Sequence, residues 1–81
     1  MSPEKAVELI CREYQLATNK FSPFVSAHEG YAILLEEVDE LWEEVKKSPK
    51  KRDNAKLIDE AKQVGAMALR FLVDVCKEEQ A

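Results

Sequence analysis

The stretch Ser26-Ala27-His28-Glu29-Gly30-Tyr31-Ala32-Ile33-Leu34-Leu35-Glu36-Glu37-Val38-Asp39-Glu40-Leu41-Trp42-Glu43-Glu44-Val45-Lys46-Lys47 decides the fold. It opens with a serine three residues before a glutamate, the capping box in which each side chain satisfies backbone donors that the first helical turn leaves free. Its apolar residues Tyr31, Leu34, Leu35, Val38, Leu41, Trp42 and Val45 then recur at the three- and four-residue spacing of a helix whose stripe faces a core. The spacing predicts a helix over 26–47 with Trp42 inside the packed stripe. Pro23 upstream and Pro49 downstream punctuate the chain at 19–25 and 48–53.

Working outward, Ser2-Pro3-Glu4 reads as an N-cap, a first-turn proline and an acid that suits the helix dipole. Val7, Ile10, Tyr14 and Ala17 follow on one face and predict a helix over 3–18. After the second break, Leu57, Ala61, Val64, Ala68, Phe71, Leu72 and Val75 keep helical register and predict a third helix over 53–78. No segment alternates as a strand does. The expectation is therefore a single all-α domain, 1–81, with a short first helix and a long antiparallel hairpin made by the second and third. Leu69, Val73 and Cys76 carry the apolar surface of the third helix beyond its hairpin stripe. This surplus predicts that hairpins from two chains pack into a four-helix bundle, as a homodimer or homotetramer.

Composition narrows the function. The 81 residues are 46% hydrophobic and 35% charged with only 2 Gly and 3 Pro, the profile of one globular domain. Sixteen acidic against 12 basic side chains leave a net charge of -4, which argues against a nucleic-acid partner and suits metal ions. Met1 to Leu9 show no secretory pattern, and Arg70 interrupts the most apolar run, Val64 to Val75, so the expectation is a cytoplasmic protein without a membrane partner. Cys11 and Cys76 read as free, buried thiols.

The densest chemistry is the six acids within the nine residues 36–44. At 100° per residue Glu37 and Glu40 lie to one side of the apolar stripe, and Glu60 and Gln63 repeat that offset on the third helix. In an antiparallel pair, equal offsets put all four in one groove. Measured from the connection, Glu40 and Glu60 share one level, and Glu37 and Gln63 the next, at about 1.5 Å per residue. Carboxylates converging in this way repel unless a cation neutralises them. Mg²⁺ suits an all-oxygen donor set. Neither central stripe carries a histidine, His28-Glu29 is followed by Ala32 where a zincin needs its second histidine, and the Glu-x-x-His pairs of di-iron bundles are missing.

With Glu37-Val-Asp-Glu40 on one helix and Glu60-Ala-Lys-Gln63 on the next, the sequence resembles the MazG-like, all-α nucleoside triphosphate pyrophosphohydrolases, whose mark is Glu-x-x-Glu followed by Glu-x-x-Asp. The similarity extends from about Phe21 through Val73, taking in Ser-Ala-His-Glu-Gly-Tyr before the first motif and Ala-Met-Ala-Leu-Arg-Phe after the second. The resemblance implies Mg²⁺-dependent cleavage of an NTP or dNTP to the monophosphate and pyrophosphate. It makes Glu37, Glu40 and Glu60 metal ligands, with Gln63 in the fourth ligand position, and leaves Glu44 or Glu36 to orient the attacking water. Gln63 departs from the pattern: its amide offers a carbonyl oxygen but one negative charge fewer. That substitution keeps open a second reading, a non-catalytic helical bundle that binds nucleotide, metal or a protein partner.

Other residues are candidates with a plainer alternative. Ile33 is placed to touch a nucleobase or a second subunit, or simply to be exposed. Phe21, Phe24 and His28 are placed to stack on a base; core packing of the loop is the alternative for the phenylalanines and a surface position for His28. Lys62 and Arg70 are candidate phosphate contacts. The basic connection 46–52 is either a phosphate attractor or a solvated turn.

Overall fold

The computed structural model describes residues 1–79 and contains three helices: α1 (Pro3–Lys20), α2 (Ala27–Val45) and α3 (Asn54–Asp74). Among the described residues there is no strand. Each helix begins where a side-chain oxygen can accept a free backbone N–H. Ser2 Oγ accepts from Lys5 N at 3.1 Å, Ser26 Oγ from Glu29 N at 3.0 Å and Asp53 Oδ1 from Ala55 N at 2.9 Å. The return bond of the capping box also forms, displaced by one residue: Glu29 Oε1 accepts from Val25 N at 3.4 Å.

The helix ends differ from the expected ones, and their bonding shows why. α2 stops at Val45, two residues before 47, because Arg52 reaches back from the connection and donates from Nε and Nη2 to Val45 O at 3.0 and 2.6 Å. α3 stops at Asp74 rather than 78. Phe71 O there accepts from both Val75 N and Cys76 N, at 3.0 and 3.3 Å, so the regular ladder is lost. Asp74 itself is turned away, its Oδ2 accepting from Phe24 N at 3.0 Å. α1 runs two residues past 18 before Phe21 adopts an extended conformation.

α3 is the central element. α1 and α2 each pack on it and make no contact with one another. Two glycines set how closely the helices approach. A Cβ on Gly30 of α2 would lie 2.8 Å from the Phe71 ring, and one on Gly65 of α3 would lie 2.7 Å from Ile10 of α1. The core is small: Ala17, Phe24, Ala66 and Met67, with Tyr14, Ile33, Leu34, Phe71 and Val75 half-buried against it.

Three expectations are corrected. Trp42 is not inside the packed stripe; it is 58% exposed, and Tyr31, Leu35 and Val38 are exposed with it, whereas Leu34, Leu41 and Val45 turn inward. The hydrophobic stripe of α2 is wider than the contact α3 makes with it, so one edge of the stripe stays outside. Cys11 and Cys76 are free, as expected, but exposed rather than buried. Arg70, a candidate phosphate contact, is only 3% exposed. Its guanidinium lies over the Phe24 ring at 4.2 Å, and Nη2 donates to Ser22 O at 2.8 Å. Its Nε has no hydrogen-bond partner and sits 4.0 Å from Asp74 Oδ2. The planar fork is thus used to hold the segment between α1 and α2. No helix among the described residues is long and apolar enough to cross a membrane.

Candidate metal centre

Carboxylates from two helices meet part-way along the α2–α3 pair. Glu37 and Glu40, one turn apart on α2, and Glu60 on α3 each offer an oxygen, and these oxygens lie within 4.8 Å of one another. Glu37 and Glu60 are half-buried and Glu40 is exposed. The convergence follows from the helical period: Glu37 and Glu60 flank the stripes along which α2 and α3 pack, so the packing that buries Leu34 and Leu41 also draws the acids together.

The electrostatic consequence is visible in the protonation equilibria. Glu37 is pushed up to about 7, first by loss of hydration, then by the charge of Glu40 and a hydrogen bond with it, with Glu60 and Glu36 adding to the effect. Glu60 is also raised, again first by loss of hydration and then by Glu40, with smaller contributions from Asp59 and Glu44. Protons are therefore held more tightly on these crowded oxygens than on a free carboxylate. An all-oxygen cluster of this kind has the donor chemistry that hard divalent ions take, although acidic groups on protein surfaces also cluster without one.

A groove of about 770 Å³ opens beside the cluster, between α1 and α2 and over α3. Glu36, Glu37 and Gln63 line the part nearest the carboxylates, while Ile33, Phe24 and Arg70 line the remainder. Phe21, an exposed ring, lines it as well, so seven of the residues singled out from sequence are brought to one concavity. Phe24 enters it as a buried core side chain under the Arg70 guanidinium, with no free face for stacking. Glu44 stands outside the groove; its proximity is shown by its effect on Glu60, and its carboxylate accepts from Lys47 Nζ at 2.9 and 3.1 Å.

Two candidates lie elsewhere. His28 is an exposed residue in the first turn of α2 and does not line the groove. Lys62 pairs with Asp59 at 3.0 Å and Glu13 at 3.5 Å, and its proton is held more tightly than usual, chiefly by the hydrogen bond to Asp59. It is engaged in joining α1 to α3. α1 supplies a wall of the groove through Glu13, Leu16, Ala17 and Lys20, of which only Ala17 belongs to the apolar face expected from sequence. Their spacing of three, one and three residues is itself a helical stripe, and it carried the signal.

No family model matches the chain, and no curated protein and no solved structure is similar to it.

Proposed function

We propose that this protein is a Mg²⁺-dependent nucleoside triphosphate pyrophosphohydrolase of MazG-like type, cleaving an NTP or dNTP to the monophosphate and pyrophosphate. On this reading α2 and α3 form the antiparallel hairpin of a cytoplasmic homodimer or homotetramer. The observation that carries the proposal is the trio Glu37, Glu40 and Glu60, whose oxygens approach within 4.8 Å beside a groove large enough for a nucleoside. Convergence costs stability unless something neutralises it: loss of hydration first, and the charge of Glu40 second, raise the proton affinity of Glu37 and Glu60.

When bound, Mg²⁺ supplies charge neutralisation for polyphosphate and a water of lowered pKa. The chain's own residues do the rest. Glu37, Glu40 and Glu60 would hold the ion, and Gln63, which lines the groove with Glu37, would offer a neutral carbonyl oxygen in the fourth position. Glu36, beside Glu37 in the groove wall, and Glu44, close to Glu60, are the carboxylates available to accept the proton of the attacking water. The groove between α1 and α2 takes the nucleoside, with Ile33 against it.

The second reading, a nucleotide- or metal-binding module without catalysis, is favoured by Gln63, which leaves the cluster one negative charge short of the family pattern. Pyrophosphate release from a panel of NTPs and dNTPs, with and without Mg²⁺, separates the two. Catalysis predicts Mg²⁺-dependent release that Glu40→Gln abolishes and Gln63→Asp increases. Release from wild type no greater than from Glu40→Gln removes the enzymatic reading.

A further inference from the structure

The exposed edge of α2 has a pattern of its own. Tyr31, Leu35, Val38 and Trp42 are 61%, 41%, 40% and 58% exposed, and they follow one another at intervals of four, three and four residues. At 100° per residue they fall within an arc of about 60°, a narrow seam of the kind by which two helices pack along their length. None of the four positions is charged. Leu72, likewise exposed, follows Phe71, which packs on Gly30, so it lies level with the Tyr31 end of the seam and widens the patch there.

The surface of the single chain says how much is missing. A compact monomer of 9.3 kDa exposes about 5,000 Å². This chain exposes 6235 Å², roughly 1,200 Å² more than that scaling allows. Its radius of gyration is 14.0 Å where about 12 Å is usual for 81 residues. Part of the excess comes from residues 75–79, which follow α3 outside any helix. The remainder is comparable with the ~800 Å² that each partner contributes to a stable interface of standard size.

We infer that α2 packs through this seam against α2 of a second copy, antiparallel about a twofold axis between Leu35 and Val38, so that Tyr31 meets the partner's Trp42 and Leu35 meets the partner's Val38. The intervals of four, three and four are the same read in either direction, and the two ends carry one aromatic ring each. A twofold contact requires this self-complementarity, because each residue must find its counterpart on an identical surface. The inference specifies the surface of the oligomer proposed above and does not depend on the cation site, since Glu37, Glu40 and Glu60 lie off the seam.

Sedimentation velocity at tens of micromolar, without Mg²⁺ or nucleotide, tests the assignment. Wild type is expected to sediment with the mass of two chains. Tyr31→Glu and Trp42→Lys should each weaken association by at least ~100-fold, since each places an unpaired charge at two symmetry-related contacts. The double variant should restore the dimer by pairing those charges across the seam. Trp42 is the sole tryptophan, so in Tyr31→Glu its emission should shift to the red as the dimer separates, while circular dichroism confirms that the helices persist. Glu40→Gln should remain dimeric, so assembly and catalysis are read separately. A monomeric wild type, single variants that keep the oligomer, or a double variant that stays dissociated overturns the assignment.

Discussion

The two ends of the α2–α3 pair are built on opposite principles. At the end next to the α1–α2 segment, Gly30 lies against Phe71, Phe24 and Met67 are buried, and Arg70 and Asp74 hold the backbone of Ser22 and Phe24. Towards the connection no residue of α2 or α3 is fully buried, and three carboxylates crowd together. Cohesion is concentrated at one end and electrostatic conflict at the other. Sites that bind ions are commonly left strained in this way, because a cluster already satisfied within the protein has nothing to offer a ligand.

The contrast is broken most severely by Phe24→Ala. Losing a buried aromatic ring costs about 3–5 kcal/mol, which at this chain length lowers the thermal midpoint by at least roughly 12 °C. Differential scanning calorimetry of the variant reads this directly, and a loss below about 1 kcal/mol would mean that the ring is not part of the core. Asp74→Asn acts at the same end. It keeps an oxygen for Phe24 N but leaves the Arg70 guanidinium buried without its counter-charge. The expected loss is about 2 kcal/mol, below the ~3–5 kcal/mol for a close buried pair because Nε and Oδ2 are 4.0 Å apart. Urea denaturation at neutral pH measures it.

At the carboxylate end the sign reverses. Glu40→Gln removes repulsion against two neighbours and should stabilise the cation-free protein by about 0.5–1 kcal/mol. On the proposed reading Mg²⁺ should raise the midpoint of wild type, by about 1.4 kcal/mol at ten times the dissociation constant, and the same substitution should abolish that rise. Thermal melts of both proteins with and without the ion test the pair of effects, and a destabilised variant would show that Glu40 supports the fold instead. The gentlest probe is pH. The folded state holds the Glu37 proton at about 7 against 4.5 for the free side chain. Its contribution to the stability of the cation-free protein is therefore full below about 4.5 and is lost as pH rises through 7. Saturating Mg²⁺ should flatten that decline in melts recorded from pH 5 to 8.

Much of this plan is legible in the residues. Ser2, Ser26 and Asp53 start the helices as their side-chain chemistry requires, and the offsets of Glu37, Glu40 and Glu60 from the apolar stripes foretold their meeting. Gln63 also lines the groove beside Glu37, as its offset suggested. Less legible was the burial of Arg70, which by type belongs at the surface. Only the coincidence of the Phe24 ring, the Ser22 carbonyl and Asp74, about fifty residues apart along the chain, makes a place for it. The end of α3 is illegible in the sequence for the same reason, since Asp74 is drawn to Phe24.

What the sequence determined by itself was local: where each helix starts, and which side chains share a face. Caps and the 3.6-residue period act over a few residues and need no partner. Tertiary structure decided which part of each stripe is covered. α3 meets α2 along Leu34 and Leu41 and leaves Tyr31, Leu35, Val38 and Trp42 uncovered within the single chain, because a helix of finite width can cover only one edge of so broad an apolar surface. The same choice of edge set the distance between the carboxylates, on which the proposed chemistry depends.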